Sequence, residues 1–340
     1  MQIVLADLKA NDGLVSKDTV AGGYGSRMRP FSPTTSFYCS LKKKFHDHPS
    51  VQMAYLAAIC ACRGHEVVWT REAIPEGDVA LVLSSLVDFR RETAWADAAR
   101  QRGLKVGFVG LAASKLPHLF AEHADFVVTG EPETAVAQLA EGARLSGLCP
   151  SEPVKDLDSL PFPRWDLLQE RRGLGDRLAF WARPLGGGFP LLSSRSCPEF
   201  CTYCPHRILA SYRARSVKNV ADELEQLCEL APNPYVVFRD PLFTEQRDRC
   251  LELCDEIQAR GLSLRFECET RLDHLDEQLL VQMRAAGLSV VTFGVEAITD
   301  DTLRRVGRRP IPEAQRRARL NGFHHHRITS AAYYFFRFVQ

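Results

Sequence analysis

The sequence has no apolar run long enough to cross a bilayer. Its first residues, MQIVLADLKAND, lack the basic stretch and small-residue cleavage site of a secretory leader and read instead as a strand. These absences exclude a membrane span and make the cytoplasm the expected location. Charge of one sign is also missing: 43 Lys and Arg stand against 42 Asp and Glu. The resulting net charge of +1 gives no long-range field that would favour nucleic acid or an anionic membrane. Without a leader, the eleven cysteines do not read as a disulfide framework. Cys60 and Cys62 lie in the apolar run VQMAYLAAICAC, and Cys250 and Cys254 share a helix face in RDRCLELCDEI. With Cys39, Cys149, Cys228 and Cys268 they read as small packing residues.

What is present is a chain of 340 residues, enough for two domains. Residues 1–148 alternate β-branched runs (IVLAD, HEVVWT, VALVLSS, KVGFVG, DFVVTG) with helical stretches, the pattern of a Rossmann-like parallel sheet wrapped by helices. Ligands of such sheets bind beyond the carboxyl ends of the strands. A Pro-rich stretch opens an extended connector over residues 149–185. From 186 to 340 a second series follows: PLLSS, YVVFRD, SLRFEC, SVVTFGVE and ITSAAYYFF, separated by helices. Five strands at this density predict a partial (β/α) barrel. The series stops on a strand, so the barrel is expected to be incomplete at its C-terminal end.

SRSCPEFCTYCPH, residues 194–206, puts Cys197, Cys201 and Cys204 on a loop directly after an apolar strand. Pro198 and Pro205 rule out a regular helix burying all three. Three thiolates hold three irons of a four-iron, four-sulfur (4Fe-4S) cluster and leave the fourth iron open. Zinc is the competing reading, with His206 completing a Cys3His set.

A strand followed by C-x3-C-x2-C, with an aromatic residue before the last cysteine, resembles the signature of the radical S-adenosylmethionine (SAM) superfamily. The resemblance implies that the open iron chelates SAM and that an electron into the cluster releases a 5′-deoxyadenosyl radical. The electron would come from an external donor of flavodoxin or ferredoxin type. The family often has Gly before the first cysteine, where this chain has Ser196. By the same resemblance Tyr203 packs near adenine, Asp240 of FRDPLF meets the SAM amino group, and Arg271 of ECETRLD meets its carboxylate. Glu296 of TFGVEA would contact the ribose or the methionine part.

The first half resembles the cobalamin-binding (B12-binding) domain fused to one branch of these enzymes, through HPSVQMAYLAAICACRGHEVVWT, LSSLVDF, RGLKVGFVGLAAS and HADFVVTGEPETAVAQL. Such folds often show Asp-x-His-x-x-Gly, Ser-x-Leu and Gly-Gly. The second is present as Ser84-Ser85-Leu86, the third is reduced to Gly110-Leu111, and the first is missing. Gly130 and Glu131 of TGEPET match a strand end characteristic of the branch. The resemblance thus assigns cobalamin to Ser84, Ser85, Leu86, Gly110, Gly130 and Glu131, with no motif histidine on cobalt. A nucleotide-binding or structural domain is the plainer alternative for this half.

A long insertion over residues 10–50 carries Gly22, Gly23, Gly25, Tyr24, Phe31, Phe37 and Tyr38 and reads as a cap near cobalamin or substrate. The run Lys42–Lys44 reads as a solvated face and His324–His326 as a polar turn. The function implied is an oxygen-sensitive enzyme that transfers a methyl group to an unactivated carbon of a small-molecule or natural-product substrate. The alternatives are a radical rearrangement or cyclisation, or a truncated, inactive protein that binds a cluster or zinc. No catalytic side chain is singled out.

Overall fold

A computed structural model describes residues 1–9, 15–17, 20, 25–27, 32–37, 50–169, 188–206, 208, 210–297 and 299–334. Gly22, Gly23, Tyr24, Phe31, Tyr38, Cys39, Lys42–Lys44 and residues 170–185 of the connector lie outside the described residues. The chain divides into two compact units, Met1–Gly187 and Gly188–Gln340.

The first unit is built on a six-stranded, all-parallel sheet. Its strands are β1 (Gln2–Ala6), β4 (Glu66–Thr70), β5 (Val79–Leu83), β6 (Lys105–Val109), β7 (Phe126–Gly130) and β8 (Gly147–Ser151). They lie in the order β4-β1-β5-β6-β7-β8. The helices are α1 (Val51–Ala61), α2 (Phe89–Gln101), α3 (Leu111–Lys115), α4 (Pro132–Ala140) and α5 (Trp165–Gln169). Continuous apolar runs such as VALVL form the inner strands because helices cover both faces of a sheet of this kind. The chain steps from β1 to β4 on one side, then to β5 on the other, so the strand order reverses between β1 and β5. A reversal of this kind opens a crevice beyond the carboxyl ends of the two strands.

The sixth strand differs from the sequence expectation, which ran an extended connector from residue 149. GLCPS carries Gly147 and Pro150, both poor strand formers, yet it pairs in register with β7. Proline is tolerated here because β8 is an edge strand with no neighbour on its other side. The connector then continues to pack on this unit: the Arg164 N–H donates to the Ala54 carbonyl at 3.3 Å, and Trp165 is fully buried. Helix α1 starts at Ser50, whose Oγ accepts from the Met53 N–H at 3.3 Å. From the insertion, the described residues include a small antiparallel ladder of β2 (Val15–Lys17) and β3 (Gly25–Arg27).

The second unit holds a five-stranded parallel sheet of β9 (Phe189–Leu191), β12 (Tyr235–Phe238), β13 (Arg265–Thr270), β14 (Leu288–Glu296) and β15 (Thr329–Tyr334). Here the spatial order equals the chain order, β9 to β15 without reversal. Helices α6 (Val217–Leu230), α7 (Arg247–Ala259) and α8 (Glu277–Ala285) return between the strands, each packing on the next. Right-handed crossovers of that order put the helices on one face and curve the other into the inside of a partial barrel.

The alternation on β13 reads out the two faces. Phe266, Cys268 and Thr270 are buried, whereas Glu267 and Glu269 are half-buried on the opposite face. Phe266 meets Phe238 edge-on at 5.5 Å, and Phe243 lies 4.6 Å from Phe238. Cys250 and Cys254 are buried on α7 as their spacing predicts, and burial pushes both thiols up to about 12. The histidine run falls at the end of α10 (Glu313–His325) with His326 as its C-cap, where its Nε2 lies 2.5 Å from Glu277 Oε1.

Candidate functional site

In the second unit the cysteine loop is held at its base and its flank. Strand β10 (Ser194–Arg195) pairs antiparallel with β11 (Arg213–Ala214), so residues 196–212 form a loop closed by a two-residue ladder. Asp240, just past β12, fixes the entry. It is fully buried and accepts from the Ser193 N–H (3.0 Å), Ser193 Oγ (2.8 Å) and Ser194 Oγ (2.6 Å). Arg249 adds a bond from Nη2 to the Ser193 carbonyl at 2.9 Å. Asp240, expected to meet the SAM amino group, here anchors the strand that launches the loop. Burial raises its carboxyl, against the serine donors that lower it.

Ser196, the residue before the first cysteine, sits at φ +68°, in the left-handed region that favours glycine. A β-carbon there costs about 1–2 kcal/mol. Its Oγ compensates by donating to the Ala210 carbonyl across the loop at 2.7 Å. On the flank, the Thr202 N–H donates to the Val306 carbonyl at 2.9 Å. Gly307 comes so close that a β-carbon would stand 2.3 Å from the Phe200 carbonyl oxygen.

Cys201 is buried, while Cys197 and Cys204 are half-buried. Burial pushes the Cys197 thiol up to about 11 and raises that of Cys204, and the charges of the neighbouring cysteines push the same way. These thiols are soft donors on one loop, close enough to perturb one another. Among the described residues, however, no trio of His, Cys, Asp or Glu stands at metal-holding separation. A metal taking these sulfurs must displace their protons and draw the loop together.

Three buried atoms without a hydrogen-bond partner follow the ends of three successive strands: Arg239 Nε after β12, Arg271 Nη1 after β13 and Glu296 Oε2 at the end of β14. Arg271 spends the rest of its guanidinium on a bidentate pair with Asp273, at 2.9 and 2.8 Å, leaving Nη1 3.7 Å from Glu199 Oε2. Glu296 stands at φ +64° next to a register shift against β15, a strained position for a side chain that size. Its Oε1 accepts from Arg308 Nη1 at 3.1 Å, and the same nitrogen donates to the Tyr203 hydroxyl at 3.1 Å. Burial raises the Glu296 carboxyl while Arg308 holds it down. Glu269 faces the same charges, since Arg239, Glu296 and Arg308 all act on its carboxyl, which burial raises.

Buried polar atoms are nearly always paired, so two orphan donors and one orphan acceptor along one strand edge mark a place built for a ligand. Their chemistry suits a carboxylate for the two guanidinium groups and an ammonium or hydroxyl for the glutamate. The structure brings Tyr203 and Glu296 together, and it adds Arg239, Glu269 and Arg308, which the sequence reading missed. Arg239 carried a weak signal as the charged neighbour of Asp240 at a strand end. Arg308 carried none.

At the first unit's strand ends the named residues behave differently. Ser84 is fully buried: its Oγ donates to the Val109 carbonyl at 2.8 Å and accepts from the Ala113 N–H at 2.9 Å, tying β5 to β6 and α3. Ser85 gives its N–H and Oγ to Glu92, each at 2.7 Å. Leu86, by contrast, is 44% exposed. Gly110 (φ +102°) caps α3, and Gly130 lies so close to β8 that a β-carbon would stand 2.1 Å from the Ser151 carbonyl oxygen. Glu131 is buried, and its Oε2 accepts from the Val154 N–H at 3.0 Å. Two buried acceptors near the β1 crossover have no hydrogen-bond partner among the described residues: Asp7 Oδ2, which lies 3.7 Å from Arg71 Nη2 in an ion pair, and Gln52 Oε1.

Residues 191–335 match the model of the Radical SAM superfamily. The chain is similar to an uncharacterized methyltransferase of Pyrococcus horikoshii, 25% identical over 209 residues, 56% of this chain and 44% of that protein. It is also similar to the anaerobic magnesium-protoporphyrin IX monomethyl ester cyclase of Rubrivivax gelatinosus, 27% identical over 187 residues, 54% of this chain and 32% of that protein. The chain thus spans less than half the length of these two relatives. Among solved structures, the cobalamin-dependent S-adenosylmethionine radical enzyme OxsB with aqua-cobalamin bound shares the fold, with a TM-score of 0.70 at 14% identity. That match covers 98% of this chain and 49% of that one.

Proposed function

We propose that this chain, whose residues 191–335 match the radical SAM superfamily and whose fold is shared with a cobalamin-dependent member, is a cobalamin-dependent radical SAM methyltransferase acting on an unactivated carbon. One observation carries the proposal: the three-cysteine loop stands above a strand edge where Arg271 Nη1, Arg239 Nε and Glu296 Oε2 are buried without partners. When bound, the cluster and SAM supply a carbon-centred radical and cobalamin supplies a methyl group, the hard chemistry belonging to the cofactors.

The chain's own residues hold and orient. Cys197, Cys201 and Cys204 are the cluster ligands. Arg271, already fixed by Asp273, keeps one guanidinium N–H for the SAM carboxylate, and Glu296 keeps one oxygen for its ammonium or a ribose hydroxyl. Tyr203, tied to Glu296 through Arg308, orients that carboxylate and lies beside the adenine. Leu86, Asp7 and Gln52, with the tight backbone at Gly110 and Gly130, form the cobalamin edge in the first unit. Ser84, Ser85 and Glu131 support that edge from behind. An external donor delivers the electron.

The test is anaerobic reconstitution with iron, sulfide and hydroxocobalamin, followed by reductant and SAM. The expected products are 5′-deoxyadenosine and S-adenosylhomocysteine, both lost in Cys201→Ala. Deoxyadenosine without S-adenosylhomocysteine would favour the non-methylating reading, which the similarity to the Rubrivivax cyclase keeps open. Zinc in place of iron would overturn the proposal.

A further inference from the structure

Lys17 lies in β2, inside the long insertion, and reaches Glu92 of α2 from 75 positions away in sequence. Its Nζ is 2.7 Å from Glu92 Oε1 and 3.0 Å from Asp88 Oδ2, the latter an ion pair without hydrogen-bond alignment. Glu92 has no exposed surface. Its two oxygens are taken up by Ser85, Oε2 by the peptide N–H and Oε1 by the hydroxyl. A carboxylate so placed is expensive to bury unless a cation stands beside it. Lys17 is the cation in contact; Arg91 is the other basic group nearby and sits 3.8 Å from Asp88.

The consequence runs along the bonds. Lys17 favours the ionised form of Glu92 against the burial that raises its carboxyl, Glu92 accepts from both donors of Ser85, and Ser85 sets the peptide between Ser84 and the exposed Leu86. That peptide stands at the end of β5, beside the crevice where the strand order reverses. We propose that Lys17 is a positioning residue: its ion pair with Glu92 ties strand β2 to the strand edge that receives cobalamin. The inference rests on the cobalamin reading and deepens it.

The experiment uses the full chain without cofactors and two readouts, hydrogen exchange of the Ser85–Leu86 segment and an absorbance titration with aquacobalamin. Lys17→Met is expected to speed exchange and to weaken cobalamin roughly ten-fold or more, the loss typical of one charge-assisted contact. Lys17→Arg is expected to restore both. Should Lys17→Met fail to fold, Glu92→Gln gives the same reading, because it buries no charge and still accepts from one Ser85 donor. Unchanged exchange in the variants overturns the inference, and so does faster exchange with parental cobalamin affinity. A parent chain that binds no cobalamin fells the functional reading first, and is distinguishable because the failure then appears without any substitution.

Discussion

The two strand edges solve opposite problems. In the first unit almost every polar group at the carboxyl ends is spent internally: Ser84 on β6 and α3, Ser85 on Glu92, and Glu92 on Lys17. Among the described residues an exposed leucine and acceptors such as Asp7 Oδ2 and Gln52 Oε1 remain there without a hydrogen bond. In the second unit the edge is left charged and unsatisfied, with one guanidinium N–H or carboxylate oxygen open after each of three strands. The first edge is a mould made rigid before any ligand arrives. The second completes its hydrogen bonding only when a zwitterionic ligand does. A large cofactor can be held by contact area, whereas a small one has to be held by charge.

The comparison would break most visibly at Glu296. Glu296→Gln replaces the open acceptor with an amide, so SAM affinity is expected to fall roughly 10- to 100-fold, the worth of one charge-assisted hydrogen bond. Isothermal titration on the reconstituted protein checks this, with unchanged cluster absorbance as the control. At the first edge the corresponding substitution acts on stability. Ser84→Ala strands the Ala113 N–H, while the Val109 carbonyl keeps the Ser84 backbone N–H at 2.9 Å, and is expected to cost about 1–3 kcal/mol by denaturant melts, with little direct effect on SAM.

A smaller effect sharpens the first edge further. Burial raises the Glu92 carboxyl, so the folded chain holds that proton more tightly than the unfolded chain does. As pH rises through the interval above about 4.3, the ordinary Glu value, the unfolded state gives up the proton first and folding loses stability. The thermal midpoint of the parent, measured relative to Glu92→Gln, is therefore expected to fall as pH rises across that window. The smallest change expected is Ser196→Gly. Relief of the left-handed backbone opposes loss of the bond to Ala210 and a freer unfolded chain, leaving stability within about 1 kcal/mol by chemical melts.

The strands legible in the sequence were those with unbroken β-branched runs, which parallel sheets covered on both faces require. Strand β8 escaped because Gly147 and Pro150 mimic a linker, and an edge position removes the penalty that would otherwise exclude them. The cysteine loop was legible because its three cysteines are close in sequence. Ser196 stands where a glycine was expected, and its positive φ gives the reason for that expectation. The pairing of Lys17 with Glu92 and of Arg308 with Glu296 was not legible, since a charge at a strand end looks the same whether it is solvated or buried. Asp240 shows the converse: its position suggested a ligand contact, and its burial made it a support.

The strand orders also bear on how the chain assembles. In the second unit each strand of the five-stranded sheet pairs with the strand of that sheet made before it, so its contacts close over shorter loops than those of β1 and the sheet can grow as it is synthesised. In the first unit β1 is made first and lies between two later strands: Ile3 pairs with both Val67 and Val79. That strand must wait, unpaired and wholly apolar at IVLA, until the insertion and two further strands have emerged. Closing so long a loop carries an entropic cost that nearby contacts do not offset. The first unit is therefore expected to set the pace of folding, and the stretch Gln2–Ala6 to be the segment most in need of a chaperone.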